Sequence, residues 1–231
     1  MQDALTAVTG RETWVEPGCA ARGDQESECD FRQLRHHTKN VLQQILLQIS
    51  QAQDLRATTC SRLLLADLQR RILLSAQISD ALFGLTRSPA SMSDRLRRLS
   101  ESTIRLFADG TQVIRAEVTV VGACPVPLQS LALRVAHEFV GNAVKHGMQA
   151  RLVGTISVRL ATGIDGRTAL VVTDDGWGFD DSPIAGEGLK IAAELAASVA
   201  GTVSLRRTQV TMATLELPAS AGQARLSWPI A

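Results

Sequence analysis

From Glu26 to about Gln53, the apolar residues Phe31, Leu34, Val41, Leu42, Ile45, Ile49 and Ala52 recur at helical spacing and fall on one stripe. The polar stretch Asp54-Leu55-Arg56-Ala57-Thr58-Thr59 interrupts the pattern. A second stripe follows through Leu65, Leu68, Ile72, Ala76, Ser79 and Leu82. Two amphipathic helices joined by a short polar break predict a helical hairpin. Leu63, Leu64, Leu73 and Phe83 widen the second stripe beyond what one partner helix covers. The pattern therefore predicts pairing with a second copy, as a dimeric four-helix bundle.

Ser88-Pro89-Ala90-Ser91 breaks the periodicity and reads as a linker. Ser91-x-x-Asp94 then has the form of a capping box opening a helix through Leu96, Leu99, Ile104 and Leu106. Beyond it the elements alternate. The pattern predicts a strand over Gln112 to Val121, a helix from about Val126 to Lys145, and strands over Thr155 to Leu160 and Thr168 to Thr173. A helix over Gly188 to Ala200 and strands over Thr202 to Arg207 and Gln209 to Leu217 complete it. This order predicts an α+β fold with helices on one face of a mixed sheet. Four segments follow: a flexible arm at 1–25 without periodicity, the hairpin at 26–87, the α+β domain at 92–218 and a tail at 219–231.

The 231 residues suffice for one ordinary domain plus a smaller element, and 45% hydrophobic content is normal for a packed core. The formal net charge of +1 offers no basic field for nucleic acid, and no polybasic run points to a membrane surface. Met1-Gln2-Asp3-Ala4 lacks a basic leader followed by an apolar core. The longest apolar helical stretch, near Ile191 to Ala200, carries Glu194 and is too short to span a bilayer. The expectation is a cytoplasmic protein. Cys19, Cys29, Cys60 and Cys124 form no CxxC pair, which fits free thiols better than zinc or a disulfide framework.

The chemistry concentrates in three places. The apolar run Ala169-Leu170-Val171-Val172 empties into Asp174-Asp175-Gly176-Trp177-Gly178; Glu138-x-x-x-Asn142 lies on an apolar helical pattern upstream; Gly186-Glu187-Gly188-Leu189 opens another helix downstream. A carboxylate at a strand end can accept the exocyclic amine of adenine, glycines admit backbone close to a nucleotide, and an asparagine on a facing helix can hold Mg²⁺ between phosphates. Glu138, Asn142 and Lys145 or His146 share one side of their helix, while Ala136, Phe139, Val140, Ala143 and Val144 pack the other.

The order and spacing of these segments resemble the N, G1 and G2 boxes of the GHKL ATPase superfamily, which includes gyrase, Hsp90 and histidine kinases. The resemblance implies a Bergerat-type α/β sandwich binding Mg-ATP. It implies adenine recognition by Asp174, metal coordination by Asn142, and phosphate contacts from Lys145 and His146. It further implies nucleotide contacts at Gly176, Gly178, Gly186, Gly188 and Leu189, with Glu138 as general base or as a holder of the site's geometry. Asp175 stands where asparagine is frequent. The lid segment 179–185 is short for the family.

Leu34-Arg35-His36-His37-Thr38-Lys39-Asn40-Val41-Leu42-Gln43 resembles the H-box of HisKA_2 and HWE bacterial histidine kinases. His36 matches the phosphorylated histidine, and Lys39 and Asn40 match the pair that follows. His37 replaces the usual arginine and so removes a permanent positive charge. Helical geometry at about 100° per residue agrees on the acceptor, because His36 points nearly opposite the stripe and His37 lies on its flank. Asn40, one turn on, shares the face of His36 and can orient its imidazole.

The resemblance implies a two-component histidine kinase that autophosphorylates His36 from Mg-ATP and passes the phosphoryl group to an aspartate of a response-regulator receiver domain. A homodimer and a separate sensor or input protein are the implied partners. Two alternatives share some of these residues. One is a dimeric histidine phosphotransfer protein with a relic nucleotide domain, which the intact Glu138, Asn142, Asp174, Gly176 and Gly178 oppose. The other is an anti-sigma-factor serine kinase, which needs no histidine-bearing hairpin.

Overall fold

The computed structural model describes residues 42, 45–47, 49, 58–83, 90–177, 187–207 and 210–219. The chain divides into units 1–43 and 44–231, and of the first only Leu42 is described. The helix expected over 26–53 is therefore seen only at Leu42, Ile45–Leu47 and Ile49, all helical. The arm at 1–25 lies outside the described residues.

Along the chain run α1 (Thr59–Phe83), α2 (Met92–Phe107), β1 (Val113–Val121) and α3 (Val126–Asn142), which passes into a π-turn (Ala143–Gly147). Then come β2 (Val153–Thr162), β3 (Thr168–Asp174), α4 (Glu187–Ala197), β4 (Thr202–Arg207) and β5 (Thr211–Leu217). The sheet has the order β1-β2-β3-β5-β4. β1 and β2 are parallel because α3 carries the chain back between them, and every other pair is antiparallel.

Period-2 alternation decides which side of each strand faces the helices. Val118, Val158 and Val172 are paired across β1, β2 and β3; Leu160, Leu170 and Leu215 are paired across β2, β3 and β5. Against this apolar face pack α2, α3 and α4, burying Leu96, Leu99, Leu133, Ala136, Phe139, Val140, Ala192 and Ala196. The opposite face carries Glu117, Ser157, Arg159, Thr173 and Thr214, and Ser157 Oγ donates to Glu117 at 3.3 Å. One apolar face and one polar face are what an α+β layer with helices on one side requires.

Two boundaries differ from expectation. The α-helix stops at Asn142 instead of Lys145, because the Met148 N–H bonds the Ala143 carbonyl at 2.9 Å and inserts a π-turn. α4 stops at Ala197: Ala200 takes a left-handed φ of 56° and the Gly201 N–H closes on the Ala196 carbonyl at 2.8 Å, a Schellman-type end.

The hairpin's second helix also finds a partner within its own chain. α1 packs along α2, burying Leu65, Leu74, Ile78 and Ala81. The buried line is rotated from the expected one, for Leu68 remains 40% exposed. Arg95 of α2 donates to the Ala81 and Leu82 carbonyls, both at 3.1 Å, and Arg70 of α1 donates to the Arg105 carbonyl at 2.8 Å. Each helix thus takes up carbonyls that the other leaves unpaired at its C-terminal end. Ser91 caps the helix, its Oγ accepting the Asp94 N–H at 3.1 Å and donating to Asp94 Oδ2 at 2.7 Å. Of the expected linker 88–91, only Ala90 and Ser91 are described, and Ser91 leads straight into a helix packed on α1. The four-helix bundle itself needs the 26–53 helix, which is described only at 42, 45–47 and 49, and a second copy.

Replacing Arg95 with Met should lower the unfolding free energy by about 1–3 kcal/mol, since two charge-assisted bonds are lost and helix-end carbonyls are left unpaired. The exposed Arg98→Ala should stay within about 0.5 kcal/mol of the parent in the same urea titration.

Candidate functional site

Asp174 is the last residue of β3, and strand alternation sends its carboxylate to the same side as Leu170 and Val172. It is 4% exposed. Its Oδ1 accepts the Gly176 N–H at 3.1 Å, an Asx-type turn that leads the chain off the strand. Burial pushes the Asp174 carboxyl above its ordinary pKa. The Gly176 N–H acts in the opposite direction, the neighbouring Asp175 charge adds to the rise, and Thr211 and Arg151 oppose it.

Asp175 points the other way. Its Oδ1 accepts the Thr155 N–H at 2.9 Å and its Oδ2 lies 3.7 Å from Arg151. It fastens the end of β2 and takes no part in the cleft.

Asn142, the last α-helical residue of α3, lines one cleft with Asp174 and Leu189. The cleft is narrow and is walled by Phe139, Val172 and Leu205. The π-turn that follows brings Gly147 over Asp174, and the Gly147 carbonyl accepts the Trp177 N–H at 3.0 Å. Glycine is required on both sides of this approach. A Cβ on Gly147 would run into the Asp174 carboxylate, and one on Gly176 would run into the Gly147 carbonyl. Gly188, in the first turn of α4, lies against the tip of the Glu138 side chain, so that a Cβ there would displace Oε2. Glu138 therefore sits against the N-terminal turn of α4, where unpaired N–H groups favour negative charge.

Among the expected site residues, the fold gathers Glu138, Asn142, Asp174, Gly176, Gly188 and Leu189. Lys145 is exposed and off the cleft, with Nζ 4.0 Å from the centre of the Phe107 ring. His146 is likewise exposed and does not line the cleft. Gly178, Gly186, His36, His37, Lys39 and Asn40 lie outside the described residues.

Two residues of the cleft escaped the sequence reading. Thr211 opens β5 directly opposite Asp174 in the β3–β5 register, is 3% exposed, and its Oγ1 has no hydrogen-bond partner. It lies near enough to Asp174 to draw its pKa down, without the geometry of a made bond. Gly147 was visible only as the end of the Lys145-His146-Gly147 run, and its need for glycine depends on a contact 27 residues away in Asp174.

A buried carboxylate beside a buried hydroxyl with nothing to bond is an arrangement that lacks a ligand. An adenine ring fits this requirement, since its exocyclic amine donates and its ring nitrogen accepts. Among the described residues, no group of three or more His, Cys, Asp or Glu comes together as a metal cage. A Mg²⁺ held at Asn142 would take its other ligands from phosphate oxygens and water, as is usual for that ion. Among the described residues, Cys60 and Cys124 form no disulfide, and burial pushes the Cys124 thiol up to about 11.

Residues 128–221 match the family described as Histidine kinase-, DNA gyrase B-, and HSP90-like ATPase. This segment is similar to a GHKL ATPase domain. The match runs from the first turn of α3 through β5 and so contains the whole cleft. The histidine kinase domain from the Erythrobacter litoralis EL346 blue-light activated histidine kinase has a similar fold, with TM-score 0.54 and 15% identity. The alignment covers 80% of this chain and 97% of that one. The Erythrobacter litoralis EL346 blue-light activated histidine kinase gives TM-score 0.53 and 18% identity, covering 83% of this chain and 61% of that chain. At these identities the likeness is one of fold. A search of curated proteins found no match. Among the described residues, no helix is long and apolar enough to cross a membrane.

The raised pKa of Asp174 has a definite sign in stability. At neutral pH the fold carries the cost of a buried ionised carboxylate. That cost is relieved as pH falls through the raised folded value and is gone below the ordinary 3.8 of the unfolded chain. Asp174→Asn should therefore hold or raise the melting temperature at pH 7 and remove this relief on acidification, while weakening nucleotide binding measured by calorimetry. Gly147→Ala should cost about 1–3 kcal/mol by overpacking against that carboxylate, read from urea unfolding.

Proposed function

We propose that the chain is an ATP-dependent protein-histidine kinase that phosphorylates His36 and passes the phosphoryl group to an aspartate of a response-regulator receiver domain. The observation that carries this reading is the single cleft in which Asp174 and Thr211 await an adenine while Asn142 lines the same wall. The GHKL match supports ATP as the nucleotide.

In this reading, ATP enters with its adenine against Asp174 and Thr211, and Asn142 contributes one ligand to the Mg²⁺ that neutralises phosphate charge. Gly176, Gly178, Gly186 and Gly188 admit backbone close to the nucleotide, with Leu189 against it. Lys145 and His146 supply cationic or donor contacts to the phosphates. The acceptor is an imidazole nitrogen of His36. Its lone pair forms the new N–P bond as the bond from the γ-phosphorus to the bridging oxygen breaks, and ADP leaves with that electron pair. The ring proton passes to a base, for which Glu138, beside the first turn of α4, is the candidate. Lys39 and Asn40 orient His36, and His37 beside it adds charge only when protonated.

A homodimer serves this chemistry by carrying the acceptor helices. Its support is the apolar surface that α1 leaves open after packing on α2, with Leu63 68%, Leu64 61% and Leu73 52% exposed. Input would come from a separate sensor or partner protein.

Incubation with γ-labelled ATP and Mg²⁺ should label the protein, and acid should remove the label, since phosphohistidine is acid labile. His36→Gln should abolish labelling, whereas His37→Gln should leave a slower labelled protein and His37→Arg should restore the rate. Label retained in His36→Gln and lost in His37→Gln would overturn the choice of acceptor. Absence of nucleotide binding in the unmodified protein would favour a phosphotransfer protein with a relic nucleotide domain.

Leu64→Asp or Leu68→Asp should convert the dimer to a monomer in sedimentation, because an unpaired charge buried in an apolar interface costs several kcal/mol, on the order of 2–7. A monomeric unmodified protein at micromolar concentration would contradict the dimer.

A further inference from the structure

Lys145 lies three residues beyond Asn142, yet its ammonium faces away from the cleft. Its Nζ sits 4.0 Å from the ring centre of Phe107, the last residue of α2. Among the described residues it has no carboxylate partner, so the negative face of the ring is what offsets its charge.

The ring is held in place by its surroundings. It packs on Gly141, where an added Cβ would lie 3.3 Å from it, and stands tilted against His137 with centroids 6.2 Å apart. His137 is in turn fixed through Nδ1 to Thr103 Oγ1 at 3.0 Å, and burial keeps its imidazole toward the neutral form. A neutral neighbour leaves the ring face free to attract a cation. The seat is therefore rigid, and the flexible lysine is the part that can move.

We propose that Phe107 is a resting seat for Lys145, competing with nucleotide phosphates for the ammonium. This rests on the reading of Lys145 as a phosphate-contacting residue. Binding of a phosphorylated nucleotide must first lift the lysine from the ring, so part of its attraction to phosphate is spent on breaking the cation–π contact. Binding of the nucleoside alone involves no such transfer.

The seat also lies in the last turn of α2, where the Arg105 carbonyl is held by Arg70 of α1 and the Ala108 N–H closes on Ile104 at 2.8 Å. Nucleotide occupancy and the packing of α1 on α2 thus meet at one aromatic side chain.

The test is a double-mutant cycle read by calorimetry, with Mg-ATP and with adenosine, on the full chain. Phe107→Leu should tighten ATP binding about two- to fivefold, the range of an exposed cation–π contact, and leave adenosine unchanged. Phe107→Met, which keeps apolar bulk against Gly141, should do the same if the leucine variant melts early. Lys145→Met should weaken ATP relative to adenosine and cancel the gain from either Phe107 variant. An unchanged ATP-to-adenosine ratio in both Phe107 variants would overturn the seat, as would a gain that survives in the Lys145→Met background. If the unmodified protein binds neither ligand, the nucleotide reading of the cleft fails, and the seat fails with it.

Discussion

The burial of one carboxylate organises the nucleotide end of this protein. β3 must keep Leu170 and Val172 against the helices, and a strand has only two faces, so Asp174 is carried to the same side. A charge there is costly unless it is bonded, and the protein supplies one N–H donor from Gly176 with Thr211 close by. The surrounding chain is arranged to permit this placement. Gly147 and Gly176 lack side chains because the carboxylate and a carbonyl occupy the space. The π-turn puts Gly147 where its carbonyl can take the Trp177 N–H. The same constraint that disfavours the folded state at neutral pH leaves an acceptor waiting for a donor, which is how a binding site stores specificity.

The helices before the domain obey a different economy. α1 is apolar around more of its circumference than one neighbour can cover, and α2 takes only the line through Leu74, Ile78 and Ala81. Arg70 and Arg95 then lock the two helices end to end through backbone carbonyls, a junction that side-chain hydrophobicity does not reveal. The remaining leucines stay uncovered. In the proposed kinase, the helix carrying the dimer surface is therefore packed directly on the helix whose last residue, Phe107, holds Lys145.

Much of this was legible from spacing alone. The apolar run Ala169 to Val172 and the apolar periodicity of α3 predicted both elements and set Asp174 at a strand end, whereas the helix was expected to run past Asn142 to Lys145. Glu138 and Gly188 were visible as members of separate motifs, though their contact was not. Thr211 could not be recognised from local sequence, for a threonine at a strand start is ordinary until the β3–β5 register sets it opposite Asp174. Lys145 was expected at the phosphates and instead rests on Phe107, since a side chain's resting place depends on a ring 38 residues earlier in the chain. The stripe on α1 was found but its buried line was rotated, because the reading assigned it no partner in α2.

The central claim is that Asp174 reads the exocyclic amine of adenine. The most direct measurement compares the affinity of the protein for Mg-ATP and for Mg-inosine triphosphate, which differs by replacing that amine with a carbonyl oxygen. A carbonyl facing a buried carboxylate leaves two acceptors opposed, so inosine triphosphate should bind at least about a hundredfold more weakly than ATP. Equal affinities for the two nucleotides would contradict the account.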